Sequence, residues 1–158
     1  MNLHLSSWLI EYLKKQNQTI SCAESCTGGM LSELLTRKPG ASEVFMGAAI
    51  CYSYAAKTRL LSIDTSILES FGAVSEEVAL LMAKNSRELF SSTFSLSITG
   101  IAGPDGGLVD KPIGTVCFGL ATPNKLQSQR VHMKGDSRQK IRKNACLFAI
   151  EWFALNIR

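Results

Sequence analysis

The sequence predicts a single α/β domain built on a mainly parallel sheet of about five strands. Short apolar segments alternate with amphipathic helical segments, an arrangement typical of parallel strands joined by helices. A late hairpin, with its turn at residues 122–125, requires at least one antiparallel strand. The 158 residues are 46% hydrophobic and 19% charged, a balance that fits one globular domain with a proper core.

Helices and strands alternate through the first part of the chain. Apolar residues at helical spacing define an amphipathic helix over residues 3–15. A short strand then leads into a helix that Thr27 would cap, and Pro39-Gly40 marks the loop after it. Ser75 is a good N-cap for the last helix of this part. The segments after the first helix are predicted as strand 19–23, helix 27–37, strand 44–52 and helices 53–62, 65–71 and 75–90.

Strands dominate the second part of the chain. A strand over residues 93–99 runs into a long loop that is rich in glycine. The two strands of the hairpin follow, and a final helix ends the chain. Asp136 would cap that helix, with Gln139 in the position of a capping box. The remaining segments are predicted as loop 100–112, strands 113–121 and 126–133, and a helix from residue 136 to the end.

The composition argues against export, membrane insertion and a metal site. No apolar run approaches the roughly 18 residues that a membrane helix needs, and the N-terminus lacks the apolar region of a signal peptide. We therefore expect a cytoplasmic protein with no membrane partner. The five cysteines are an odd number without an export signal, which predicts free thiols. No second Cys/His pair follows Cys22 and Cys26 at zinc spacing, so we expect no metal and no cofactor.

Positive charge is concentrated near the C-terminus. Residues 125–143 contain seven basic residues and one aspartate, a net charge of +6 in a chain whose total is +4. Such a segment is either a solvated face or a surface that meets an anion. No aromatic interleaving and no nucleic-acid motif accompany it, so a small anionic ligand is favoured over nucleic acid.

The segment AESCTGG, residues 23–29, lies where the first predicted strand ends and the next helix begins. Ligands of open α/β sheets bind at the carboxyl ends of strands, and a helix N-terminus offers free N–H groups. Ser25 is therefore placed either to bind an anion or to act as a nucleophile beside oxyanion donors. Gly28 and Gly29 allow close approach to the backbone. The alternative is a tight turn before a capped helix. Cys26 is a rival nucleophile.

Three further segments carry candidate chemistry. Lys57 follows the second strand near a helix N-terminus, where the dipole and burial would lower its pKa and make it a base; otherwise it is a surface lysine. The glycine-rich loop would shape a ligand pocket. Arg138 and Arg142 are four residues apart on the last helix, suited to a phosphate or to a solvated face. His4 and His132 are expected at surface or edge positions, which argues against a Ser-His-Asp triad.

Five strings in this order resemble the CinA C-terminal domain family: AESCTGG, YS-x-x-AK, GAVS, TGIAGPDGG and KPIGTV. The likeness covers nearly the whole chain. It implies a three-layer α/β/α sandwich with a mixed sheet. The characterised activity of the family is nicotinamide-nucleotide amidohydrolysis, the conversion of nicotinamide mononucleotide and water to nicotinate mononucleotide and ammonia in pyridine-nucleotide salvage. Family domains stand alone or follow a pyrophosphatase-like domain. We expect residues 1–158 to be the stand-alone form.

The resemblance also implies roles for single residues. Ser25 would be the nucleophile, with Lys57 and Tyr52 as base and proton relay. Two departures from the family pattern are Tyr54-Ala55 and the insertion of Ser137 before the first arginine of the last helix. The expected substrate-binding residues are Cys26, Thr27, Gly28, Gly29, Thr99, Gly100, Gly103, Thr115, Arg138 and Arg142.

Two other functions stay open at this stage. The same loops could hold a nucleotide without converting it, and the basic segment could belong to a nucleic-acid-binding accessory protein. Because pockets of small α/β enzymes often lie near subunit interfaces, a homodimer also stays open.

Overall fold

The computed structural model describes residues 3–157, and side chains from residue 5 onward. It contains six α-helices, five strands and a short 3-10 turn at Ala41–Glu43 in this part of the chain. The first six helices and strands, leaving that turn aside, are α1 Leu3–Lys15, β1 Ile20–Glu24, α2 Met30–Thr36, β2 Phe45–Ile50, α3 Tyr54–Leu61 and α4 Thr65–Phe71. The others are α5 Glu76–Leu89, β3 Phe94–Gly100, β4 Thr115–Ala121, β5 Leu126–His132 and α6 Arg138–Asn156.

The five strands form one mixed sheet in the order β2-β1-β3-β4-β5. β1 pairs in parallel with β2 and β3, and β4 is antiparallel to both of its neighbours. Four strands therefore run in one direction and β4 alone runs against them, which confirms the mainly parallel sheet. The register pairs Glu24 of β1 with Ile50 of β2 and Ile98 of β3, so these three strands end side by side.

Helices cover both faces of the sheet and make three layers. One face packs large apolar side chains against α1, α2 and α6; Leu9, Leu35, Phe118 and Phe153 are among those that are fully buried. The other face packs against α3, α4 and α5 and uses smaller side chains such as Ala23, Ala49 and Cys51. The two apolar cores hold the sheet between two helical layers. The predicted sandwich is confirmed.

The starts of two helices differ from the sequence prediction. Thr27 does not cap α2; the helix begins at Met30 after Gly28 and Gly29, which both adopt positive φ and extend the turn. Asp136 does not cap α6; Ser137 is the N-cap and its hydroxyl accepts a hydrogen bond from the N–H of Lys140. Ser53 is the N-cap of α3, and Ser75 is the N-cap of α5, as predicted.

The remaining predictions about side chains can be placed on this fold. All five cysteines are buried free thiols, as predicted. His132 is exposed at the end of an edge strand, whereas the side chain of His4 lies outside the described part of the chain. Over residues 3–157, no helix is both long and apolar enough to cross a membrane. In the same range, no group of three or more His, Cys, Asp or Glu side chains could hold a metal ion.

Candidate active site

A serine from the turn after β1 and a lysine from α3 meet at the carboxyl ends of the parallel strands. Ser25 directly follows β1 and is 7% exposed, and Lys57 on α3 is 0% exposed. The Nζ atom of Lys57 lies 3.0 Å from Ser25 Oγ and 2.8 Å from the carbonyl oxygen of Cys51. The two residues that the sequence singled out as nucleophile and base are therefore in hydrogen-bond contact.

The surroundings of Lys57 favour its neutral form. Desolvation is the main cause that lowers its pKa below the ordinary value of 10.5. Lys57 is also the fourth residue of α3, near the positive end of that helix dipole. Among residues 3–157, no carboxylate forms an ion pair with it. A buried amine without a counter-ion is suited to accept a proton from the adjacent hydroxyl.

Glu24, the residue before Ser25, is a fully buried carboxylate at the start of α2. It accepts hydrogen bonds from the N–H groups of Gly29 at 3.0 Å and Leu31 at 3.1 Å. The N–H and hydroxyl of Ser32 donate to its other oxygen, at 2.8 and 2.5 Å. The prediction of free N–H groups at this helix N-terminus is wrong, because Glu24 takes them.

The sequence analysis gave Glu24 no role of its own, although one signal was available. An acidic residue at the end of a buried strand must find donors, and the nearest ones are the N–H groups of the helix that follows two glycines. Because Glu24 occupies these donors, we do not expect the start of α2 to hold an anionic group of a ligand.

The turn from Ser25 to Gly29 is held on several sides. The Ser25 N–H donates to the Ile98 carbonyl at 2.9 Å, and the Gly28 N–H donates to the Ser25 carbonyl at 3.1 Å. Arg142 on α6 donates from Nε to the Cys26 carbonyl at 2.9 Å and from Nη2 to the Thr27 carbonyl at 2.7 Å. Thus Gly28 and Gly29 have engaged N–H groups, and those of Cys26 and Thr27 are the remaining candidates for oxyanion donors in this turn.

Cys26 is a poor nucleophile in this environment. Burial raises the pKa of its thiol to about 12, because the thiolate would lose its hydration, while Arg142 and Lys57 offset only part of that effect. The thiol is therefore almost wholly protonated at neutral pH. The geometry favours Ser25 over its neighbour as the attacking group.

Tyr52 and Arg138 form the rim of the site. Tyr52 is 60% exposed, and its hydroxyl accepts a hydrogen bond from Arg138 Nη2 at 2.7 Å. Arg138 Nη1 donates to the carbonyl oxygen of Gly103 at 2.7 Å, so this side chain joins the end of β2 to the glycine-rich loop. In the described part of the chain, no hydrogen bond links Tyr52 to Ser25 or Lys57. Its role as a proton relay stays a prediction.

The other predicted binding residues lie on the adjoining loops. The Thr99 hydroxyl donates to the Ala73 carbonyl at 2.7 Å, and the Ala73 N–H donates to the hydroxyl of Tyr54 at 3.2 Å. These bonds fix the connection between α4 and α5 beside the end of β3. The Thr115 hydroxyl is buried and donates to the Pro112 carbonyl at 2.7 Å, inside the glycine-rich loop. Substrate contacts by Thr99 and Thr115 stay predictions.

Two glycines of this region are required by close packing. A Cβ atom on Gly100 would lie 2.8 Å from Val116 Cγ2 and 2.9 Å from the Thr115 carbonyl oxygen. A Cβ atom on Gly103, whose φ is +77°, would lie 2.8 Å from Ile113 Cγ2. Both glycines therefore let β3 and its loop lie directly against the start of β4. Whether either one also contacts substrate stays a prediction.

Fold and site together define a class: a three-layer α/β/α domain with a buried serine–lysine pair at its parallel strand ends. Within that class, the chain belongs to the CinA C-terminal domain family, whose family model matches residues 2–157. It is 45% identical over 141 residues to a CinA-like protein of Fervidobacterium nodosum, an alignment that covers 89% of this chain and 34% of that protein. It is 50% identical over 121 residues to a CinA-like protein of Prochlorococcus marinus, covering 77% of this chain and 28% of that protein. The chain thus spans about a third of the length of these curated relatives.

Solved structures match the domain along most of its length. The competence/damage inducible protein CihA of Agrobacterium tumefaciens superposes with a TM-score of 0.94 at 32% identity, covering 97% of this chain and 93% of that one. A competence-damaged protein (CinA) superfamily protein of Escherichia coli gives a TM-score of 0.90 at 31% identity, covering 95% and 87%. The fold is therefore the one found in these CinA proteins.

Proposed function

We propose that this domain hydrolyses the carboxamide of nicotinamide mononucleotide to nicotinate mononucleotide and ammonia. The observation that carries the proposal is the 3.0 Å contact between Lys57 Nζ and Ser25 Oγ in a buried site without an ion-pair partner for the lysine. Amide hydrolysis needs a nucleophile, a base and donors for an oxyanion, and the candidates for these roles are Ser25, Lys57 and the backbone N–H groups after Ser25. The substrate class comes from the family resemblance, and the Arg138 guanidinium at the rim suits its phosphate.

The reaction begins when Ser25 Oγ attacks the carboxamide carbon and gives its proton to neutral Lys57. The N–H groups of Cys26 and Thr27 would stabilise the oxyanion of the tetrahedral intermediate. The C–N bond then breaks as Lys57 returns the proton to the departing ammonia, leaving an ester on Ser25. Water attacks the ester, with Lys57 again as base, and releases the nicotinate product and the free serine.

Ammonia release from nicotinamide mononucleotide tests this proposal. We expect the wild-type protein to release ammonia and the Ser25→Ala variant to be slower by at least about 10³-fold, because the nucleophile is lost. Ser42→Ala, an exposed serine outside the site, is the matched control and should keep wild-type turnover. Turnover retained in Ser25→Ala would exclude this serine as nucleophile. If the nucleotide raises the melting temperature of the wild-type protein but no ammonia is released, the domain binds the nucleotide without converting it.

A further inference from the structure

Arg142 makes hydrogen bonds to the backbone that its predicted role as a nucleotide ligand does not explain. Its guanidinium reaches from α6 to two successive carbonyls of the turn after Ser25, those of Cys26 and Thr27, at 2.9 and 2.7 Å. Both bonds are charge-assisted and come from one rigid planar group, so they fix the orientation of two peptide units at once. Two of the five N–H donors of the guanidinium are therefore used on the backbone.

The turn needs such support because its conformation is costly. Gly28 and Gly29 both have positive φ, at 55° and 97°, which glycine adopts without strain, but ordering two successive glycines costs more conformational entropy than ordering other residues. The buried hydroxyl of Thr27 has no hydrogen-bond partner among the described residues, and an unsatisfied buried hydroxyl destabilises the segment that carries it. Glu24 holds the far end of the turn through Gly29, and Arg142 holds its middle. Without Arg142 the middle of the turn would relax.

The direction of a carbonyl also sets the direction of the next N–H group. In a trans peptide unit the carbonyl and the following N–H point to opposite sides of the chain. The Cys26 carbonyl is held toward α6, so the Thr27 N–H is held away from α6. No protein acceptor engages that N–H in the described part of the chain.

We infer that Arg142 is a positioning residue that fixes the turn after Ser25, and with it the oxyanion donor at Thr27, rather than a ligand of the substrate phosphate. The inference rests on the proposed amidohydrolase function for its kinetic consequence. Its structural part, the fixed turn, stands on the two hydrogen bonds alone. A phosphate ligand would affect substrate binding, whereas a positioning residue affects the chemical step.

Steady-state kinetics with nicotinamide mononucleotide separates the two roles. We expect Arg142→Ala to lower kcat by roughly 10- to 100-fold and to leave KM within about 3-fold, since a misplaced turn slows chemistry. Arg142→Lys keeps the charge but loses the planar group that reaches both carbonyls, so its kcat should lie between those of wild type and Arg142→Ala. The control is Lys140→Ala, an exposed cation on the same helix, which should match wild type. A raised KM with unchanged kcat, or full activity of Arg142→Lys, would overturn the inference.

Amide hydrogen exchange tests the fixed turn even if the wild-type protein releases no ammonia. The Gly28 N–H is bonded to the Ser25 carbonyl within this turn. We expect its exchange to accelerate by at least about 5-fold in Arg142→Ala or Arg142→Lys and to stay at the wild-type rate in Lys140→Ala. Unchanged exchange of Gly28 in both folded Arg142 variants would overturn the inference, whatever the fate of the proposed reaction.

Discussion

Glu24 and Lys57 are both ionisable and fully buried, and both lie next to Ser25, Glu24 along the chain and Lys57 through a hydrogen bond. They differ in how many hydrogen-bond partners surround them. The Glu24 carboxylate accepts four hydrogen bonds from the start of α2, a full set of donors around both oxygens. Lys57 has two neutral oxygen partners, and burial lowers its pKa. The comparison teaches that a buried ionisable group with a full set of hydrogen-bond partners stabilises a segment. A buried ionisable group with few partners is instead available for proton transfer.

The comparison is tested most strongly by removing the lysine. Lys57→Met keeps the length and apolar stem of the side chain but removes the amine that is the proposed acceptor of the Ser25 proton. We expect turnover of nicotinamide mononucleotide to fall by at least about 10³-fold while the fold is retained. Lys84→Met, an exposed lysine on α5, is the control and should keep wild-type turnover. A loss below about 10-fold would move the base role to another group, with Tyr52 the next candidate.

Replacing the glutamate should affect stability first. Glu24→Gln puts an amide NH₂ group where the site supplies only donors, so at least one buried donor loses its acceptor. We expect the free energy of unfolding to fall by about 3 kcal/mol, measured by urea denaturation. Glu69→Gln, at an exposed position on α4, should unfold like wild type. If Glu24→Gln were as stable as wild type, the saturated set of hydrogen bonds would not be what holds the start of α2.

The pH dependence of stability gives the smallest effect and reports on Lys57 alone. Its pKa is lowered in the folded state, so between that lowered value and the ordinary value of 10.5 the unfolded chain binds the extra proton. The stability of wild type relative to Lys57→Met should therefore rise with pH across this window, by at most about 1.4 kcal/mol per pH unit.

Urea denaturation of wild type and Lys57→Met at several pH values from 7 to 10 measures this difference. A stability difference that stayed constant over the whole range would mean that Lys57 keeps its proton in the folded protein. That outcome would remove the physical basis for its role as a base, even if Lys57→Met had lost turnover for another reason.

Sequence patterns predicted the strands and the mixed sheet, and the family resemblance implied the pairing of Ser25 with Lys57. The structure brings the two together because strand ends of a parallel sheet share one edge and the two residues follow neighbouring strands. The role of Glu24 was missed because its partners are backbone N–H groups, which have no residue signature. The contacts of Arg142 were missed for the same reason, since two carbonyls can belong to any residue type. The start of α2 was misplaced because the positive φ of Gly28 and Gly29 prolongs the turn beyond Thr27.

Ser25 and Lys57, the proposed nucleophile and base, are attached to different layers of the molecule. Glu24 and Arg142 tie the Ser25 turn to α2 and α6, while Lys57 belongs to α3 on the other side of the sheet. The 3.0 Å separation of Ser25 Oγ and Lys57 Nζ therefore depends on the position of one helical layer relative to the other. Under the proposed mechanism, substitutions deep in either apolar core that shift one layer would lengthen this contact and slow the reaction before the domain unfolds.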